Sequence, residues 1–163
     1  MSRRVVIDSQ AFGRAGGSLQ GEIRVSSLTR LHDLLADTDG CLTYRLEGMI
    51  GSRRRSQLAV AVDGMLSLRC QRCLEALRYP LDLRSLLEFI DAECDLTQEE
   101  LEDDSRDFIP SQKELDVAML IEDEILLALP TVQRHENCVL PEVGRDSTGE
   151  SPFSILASLR GRA

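Results

Sequence analysis

The chain has no tryptophan, and aromatic residues make up only 4 % of it, four Phe and two Tyr. A platform that stacks several nucleic-acid bases needs several π faces, so this composition argues against one. Histidine is scarce as well, with His32 and His135 the only two, and no Ser, His and acid set suggests nucleophilic catalysis. Gly13, Gly16 and Gly17 do not have the spacing of a phosphate-binding loop, and no Gly-Lys-Ser/Thr element follows them. The expectation is a protein that is not an enzyme and has no small-molecule substrate. The basic N-terminus lacks the apolar stretch of a signal peptide, and no later segment approaches a membrane span. A soluble cytoplasmic protein without a membrane partner is therefore expected.

Lysine is almost missing too: of 19 basic residues only Lys113 is Lys. Against these stand 28 acids, for a net charge of −9 over 163 residues. The charge is unevenly placed, since residues 1–90 sum to +3 and residues 91–163 to −12. Residues 88–107 hold ten acids and one base, Arg106. Such a block reads first as a solvated, self-repelling loop. The sharper reading is a docking surface for a basic protein, centred on Glu99, Glu100, Glu102, Asp103 and Asp104. In the basic half the densest cluster is Arg53-Arg54-Arg55, in what looks like a turn between strands. The planar fork of arginine suits phosphate.

At 42 % hydrophobic and 29 % charged residues, the composition is that of a folded domain rather than a disordered chain. Residues 9–21, rich in Gly, Ser and Arg, read as a loop, and residues 29–36 as a short helix. Residues 41–50 alternate as a half-buried strand, with Leu42, Tyr44 and Leu46 on one face. Over residues 58–70 every even position is apolar except Gly64, which favours one long strand over a hairpin at Asp63-Gly64. After Cys73 the apolar positions become odd: Leu77, Tyr79, Leu81, Leu83, Leu87 and Phe89. A two-residue connection at Gln71-Arg72 produces that switch. It predicts a long antiparallel hairpin (58–70 and 73–89) in which Cys70 faces Cys73, Leu66 faces Leu77, Gly64 faces Tyr79 and Val62 faces Leu81.

Ser111-Gln112-Lys113-Glu114 has the spacing of a capping box. It predicts a helix over 112–128 that stops before Pro130, with Leu115, Met119, Ile121, Ile125, Leu126 and Leu129 on its apolar face. Glu122 falls at the edge of that face and needs a partner, for which an arginine of the hairpin is the first choice. Residues 139–151 read as a polar linker, and Ser151-Pro152 as the start of a short helix with Phe153, Leu156 and Leu159 on one stripe. The fold class expected is α+β: an antiparallel sheet or partly open barrel, packed by one long helix and a short C-terminal helix. Residues 1–138 would form a single domain with an acidic loop at 88–107, and residues 139–163 a linker and tail.

Five cysteines, an odd number in a cytoplasmic chain, read as thiols or ligands before they read as disulfides. Cys70-x-x-Cys73 and His135-x-x-Cys138 together offer three thiolates and one imidazole. Two close pairs of this kind suit one closed, tetrahedral structural zinc that would tie the hairpin tip to the segment beyond the long helix. The alternative is four side chains with no joint role. A redox role is the weaker reading, because low thiol pKa values in such motifs come from a helix N-terminus and here both flanks read as strand.

Several segments in this order resemble the bacterial YceD family: Cys70-Gln71-Arg72-Cys73-Leu74, then Leu115-Asp116, the run from Ile121 through Glu122-Asp123-Glu124 to Pro130, then His135 and Cys138, and Pro152-Phe153-Ser154-Ile155-Leu156 with Leu159. The likeness extends over about residues 42–159. That family is named for the accumulation of large-subunit ribosomal RNA. The resemblance implies a non-enzymatic role in the synthesis, processing or stability of that RNA, and so in ribosome biogenesis. The partner implied is large-subunit ribosomal RNA or a pre-ribosomal particle. The arginine pattern itself supplies the contact candidates, Arg53, Arg54, Arg55, Arg69, Arg72, Arg78 and Arg84. An acidic adaptor for a basic ribosomal protein is the alternative.

Overall fold

The structure, a computed structural model, describes residues 4–51, 53–91 and 96–139. In chain order it begins with β1 (Val6–Ile7), α1 (Ser9–Arg14) and β2 (Ser18–Arg24), then two 3-10 turns, Val25–Ser27 and Thr29–Leu34. Strands β3 (Cys41–Ile50), β4 (Ser56–Arg69) and β5 (Ala76–Ile90) follow. The short helix α2 (Gln98–Leu101), strands β6 (Asp107–Pro110) and β7 (Leu115–Asp116), and helix α3 (Val117–Ala128) complete the described elements. The result is an α+β fold. Its five-stranded sheet has the order β2-β3-β4-β5-β6, antiparallel throughout except where β6 lies parallel to β5.

Alternation decides which side of this sheet is covered. Leu42 and Leu46 of β3, the even positions Leu58, Val60, Val62, Leu66 and Leu68 of β4, and the odd positions Leu81, Leu83, Leu87 and Phe89 of β5 are all buried. Val25, Leu28, Leu31 and Leu35 from the turns and Leu120, Ile121 and Ile125 from α3 complete this core. Truncating a side chain such as Ile121 or Ile125 to alanine costs about 2–5 kcal/mol in cores of this kind. Gly64 sits in β4 without a break in pairing, and its missing side chain makes room for a neighbour: a Cβ there would lie 2.5 Å from Leu42 Cδ2. Leu42 fills the space that the missing side chain leaves.

Several local expectations are corrected. Residues 9–21 are not a loop: Asp8 accepts the Ala11 N–H at 2.8 Å and caps α1, and β2 follows. The helix expected over 112–128 starts only at Val117, where Asp116 accepts the N–H groups of Ala118 and Met119. Ser111 does not cap it, since its hydroxyl donates to the Ile90 carbonyl at 3.0 Å. Leu115 and Asp116 instead pair with Ile7 and Val6, a contact made by residues about a hundred positions away that no local pattern encodes. Met119, expected on the covered face, is 56 % exposed. Glu122, expected at the edge of the covered face, is buried, and its partner is the backbone N–H of Arg30 at 2.6 Å rather than an arginine of the hairpin. The linker and C-terminal helix expected over 139–163 lie outside the described residues, apart from Val139.

Candidate metal centre and charged surfaces

The hairpin of β4 and β5 pairs Leu66 with Tyr79, Leu68 with Leu77, Val62 with Leu83 and Gly64 with Leu81. This register is two residues away from the expected one, so every side chain keeps its face while the tip grows from two residues to the stretch 70–75. The Cys70 N–H donates to the Glu75 carbonyl at 2.9 Å, and the Leu74 N–H turns back to the Cys70 carbonyl at 2.9 Å. Closing this knuckle puts Leu74 at φ +67°, a left-handed conformation that glycine adopts more readily. The longer tip has a chemical consequence: the N–H groups of Cys73 and Arg72, together with that of His135, converge on the Cys70 sulfur. Burial pushes the Cys70 thiol up, but these donors and the Cys73 thiol outweigh it and bring the pKa down to about 5. The neighbouring Cys138 thiol is pushed up, first by burial and then by the sulfurs of Cys70 and Cys73.

The second ligand pair arrives from the segment after α3. Pro130 follows the end of that helix, and Gln133, which is buried, fixes the turn that comes next. Its amide donates to the Pro130 carbonyl at 2.7 Å and its side-chain oxygen accepts from Gln71 at 3.1 Å, while the Gln71 N–H donates to the Gln133 carbonyl at 2.8 Å. Nothing in the sequence singled out Gln133. The only available signal is an amide residue two positions before a ligand pair.

With the two segments joined, the ligand atoms of Cys70, Cys73, His135 and Cys138 all lie within 4.8 Å of one another. Cys70 Sγ is 3.9 Å from Cys138 Sγ, and Cys73 Sγ is 3.4 Å from His135 Nδ1. A tetrahedron with Zn–S of about 2.3 Å and Zn–N of about 2.0–2.1 Å has edges of about 3.8 Å and 3.6 Å, close to both separations. Cys70, Cys73 and Cys138 are free thiols, not disulfide-bonded. His135 Nε2 is 3.1 Å from the Ala76 carbonyl. A proton on Nε2 satisfies that oxygen and leaves the Nδ1 lone pair for a metal, as outer hydrogen bonds to ligating histidines commonly do. This group can hold a metal ion. Four protein ligands would leave no position for a reactive water. Cys41, on β3, is exposed and stands apart from the group, and Cys94 lies outside the described residues.

The acidic tract and the arginine turn, read from sequence as separate surfaces, meet in the structure. Residues 88–107 are not one loop, because β5 runs to Ile90, α2 lies within the tract and β6 begins at Asp107. Glu88 and Glu100 are buried. Arg55 Nη1 is 2.6 Å from Glu100 Oε1 and 3.2 Å from Glu88 Oε1, and Arg53 Nη1 is 2.7 Å from Glu100 Oε1. Arg106 reaches Glu88 at 3.1 Å and Asp103 at 2.8 Å, and Gln57 donates to Glu88 at 2.6 Å. The Thr97 N–H, with Arg55, the Thr97 hydroxyl and Arg53, holds the Glu100 carboxyl below its usual range against the opposing effect of burial. Asp103 is lowered as well, by Ser105 before Arg106. Among the five acids expected to face a partner, Glu99, Glu102 and Asp104 are exposed, Asp103 is half-buried and Glu100 is buried.

The seven candidate arginines do not form one patch. Arg84 pairs with Asp63 at 2.8 Å and Asp82 at 2.9 Å, and Arg69 donates to the Leu35 carbonyl at 3.2 Å. Among the described residues no ion pair is formed by Arg54, Arg72 or Arg78, and all three are exposed. Arg54 precedes the start of β4 and Arg72 follows its end, so a strand of 14 residues separates them, a rise of about 40 Å. Arg72 and Arg78 share the hairpin-tip end with the candidate metal centre.

No helix among the described residues is long and apolar enough to cross a membrane. A family model described as "Large ribosomal RNA subunit accumulation protein YceD" matches residues 58–160, well over half of the chain and including all four candidate ligands. No curated protein and no solved structure matches.

Proposed function

The chain belongs to the YceD family, and from that premise we propose that it is a non-enzymatic ribosome biogenesis factor supporting the synthesis, processing or stability of large-subunit (23S-type) ribosomal RNA in the cytoplasm. The family match over residues 58–160 carries this reading, since the family is described by RNA accumulation and not by a reaction. A closed Cys3His group agrees with it, because such a site shapes a surface and performs no chemistry on a substrate. One structural zinc would be held by Cys70, Cys73, His135 and Cys138. It would lock the hairpin tip to the segment after α3 and so fix the exposed arginines beside it.

The RNA contact is assigned to Arg72 and Arg78 at that end, with Arg54 as a separate outlying contact. Arg53, Arg55 and Arg84 already neutralise carboxylates and would have to leave them to bind phosphate. The test is co-sedimentation of the full chain with large-subunit precursors. Arg72→Glu with Arg78→Glu should abolish it and leave the folded domain intact by circular dichroism. In a direct RNA-binding assay, each phosphate contact removed should reduce the salt-dependence slope by about 0.7. Unchanged co-sedimentation of the double variant would refute the surface assignment.

The adaptor reading rests on Glu99, Glu102 and Asp104, the three candidate acids that stay exposed. It predicts a salt-sensitive pull-down of a basic ribosomal protein that survives nuclease treatment and is lost when these three are neutralised.

A further inference from the structure

Helix α3 buries one face in the core and leaves the other uncovered. Met119 is 56 % exposed and Leu127 76 % exposed, and they border a groove of about 580 Å³ floored by Ile109, Leu115, Leu120 and Leu126. Apolar surface at the rim of a groove, with charges around it, marks a binding site more often than an accident of the surface. The rim is acidic once its internal pairs are removed. Arg4 is bound to Asp116 at 2.6 Å and Arg30 to Asp123. Glu114 and Glu124 remain, with no cation paired to either among the described residues. Glu124 is buried, and its side-chain partner is the neutral Ser85 hydroxyl at 2.5 Å. A buried carboxylate with one neutral donor is under-compensated, and a cation brought into the groove would relieve it.

The chain carries a segment of matching chemistry. Residues 151–163 contain Phe153, Leu156 and Leu159 at helical spacing, Arg160 and Arg162 beyond them, and no acid. The family match continues past the described fold as far as residue 160, so that apolar stripe belongs to the same matched unit as α3. Reach is sufficient: the eleven residues between Val139 and Ser151 span up to roughly 40 Å, about the diameter of a domain of this size. Tethering also lowers the affinity that docking requires, since a short linker supplies an effective concentration on the order of millimolar.

We propose that residues 151–160 dock in the groove on the outer face of α3, seating Phe153, Leu156 and Leu159 against Met119 and Leu127 and bringing Arg160 to Glu114 and Glu124. The segment thereby completes the domain's second apolar layer and shields the exposed face of α3.

Two measurements on the full chain test this. Replacing Phe153 with the photo-crosslinker p-benzoylphenylalanine should give crosslinks to the peptide spanning 115–127. In a mixture of isotopically light and heavy chains these should join residues of the same chain. Crosslinks between light and heavy chains would assign the groove to a second copy, and crosslinks elsewhere, or none, would also overturn the proposal. Peroxide oxidation supplies the second readout. Met119 should oxidise several-fold more slowly than Met65, which is 42 % exposed on β4. Leu156→Asp should bring Met119 at least to the Met65 rate without changing Met65 itself. A Met119 rate that matches Met65 in the unsubstituted chain, or does not respond to Leu156→Asp, would overturn it.

Discussion

The Arg55 guanidinium lies 2.6 Å from the Glu100 carboxylate, joining the most basic tripeptide of the chain to the middle of its most acidic stretch. Arg55 also holds Glu88, and both carboxylates are buried. Removing one partner of a buried pair leaves the other uncompensated, which costs far more than an exposed pair contributes. Arg55→Gln should therefore lower the thermal midpoint more than Arg53→Gln, because the Arg53 side chain is 45 % exposed against 18 % for Arg55 and meets only one of the acids. The double variant Arg55→Gln with Glu100→Gln should lose less than the sum of its single changes. Calorimetry of the native chain and these four variants, Glu100→Gln included, checks both orderings.

Acid should weaken the same junction. The Glu100 carboxyl is held below its ordinary value in the folded chain. Its contribution is thus fully present above the unfolded value of about 4.3 and is lost as pH falls through the lower folded value. Asp103 and Asp116 are lowered too and add to this loss. Glu124 has the opposite sign: burial raises it, so its contribution is present at low pH and disappears as pH rises through the folded value. Chemical denaturation between pH 7 and pH 3 should show the gap between the native chain and Glu100→Gln narrowing toward the acid end. A constant gap would mean that Glu100 is not the group being protonated.

What was legible in the sequence was whatever depends on neighbours a few residues apart. The alternation of Leu42, Tyr44 and Leu46 marks β3, and the even and odd parities of β4 and β5 set their buried faces. The Cys-x-x-Cys and His-x-x-Cys spacings likewise named four residues that the fold brings together. Contacts across the chain were not legible. The hairpin register was missed by one pleat repeat, because parity fixes a face but not a loop length. The start of α3 was missed because the pairing of Leu115 with Ile7 competes with a local cap that looked sufficient. The meeting of Arg53 and Arg55 with Glu88 and Glu100 is illegible for the same reason, since it forms only through the sheet.

The candidate metal centre gives a stoichiometric expectation. Purified protein should carry close to one zinc per chain by elemental analysis, and the cobalt-substituted form should show the intense visible absorption of a tetrahedral thiolate site. Cys70→Ser and Cys138→Ser should abolish both signals, whereas Cys41→Ser, at an exposed position outside the group, should leave both unchanged. Retention should fall on acidification as protons compete for the ligands. Equal metal content in the Cys41 and Cys138 variants would remove the site.

Gln133 is not one of the four candidate ligands yet joins the two ligand-bearing segments. Gln133→Ala should leave the zinc stoichiometry at one under saturating metal and weaken retention against a competing chelator by about tenfold or more, the scale found for groups that only orient ligands. A ligand variant would lose stoichiometry instead, so the two readouts separate positioning from coordination.

Leu74 supplies a prediction of unusual sign. Its φ of +67° places a γ-branched side chain in the left-handed region, and the side chain it holds there is 63 % exposed. The conformation costs roughly 1–2 kcal/mol for a residue with a Cβ, and little burial offsets that cost. Leu74→Gly removes the strain, while the added freedom of the unfolded chain takes back roughly 0.5–1 kcal/mol. The variant should therefore be neutral or up to about 1.5 kcal/mol more stable, the difference between those two effects. Leu74→Val, which adds β-branching at the same φ, should be clearly less stable than the native chain. If co-sedimentation with large-subunit precursors falls in Leu74→Gly while its stability holds or rises, the exposed leucine is part of the contact surface beside Arg72. If co-sedimentation is unchanged, the RNA contact runs through the arginines alone.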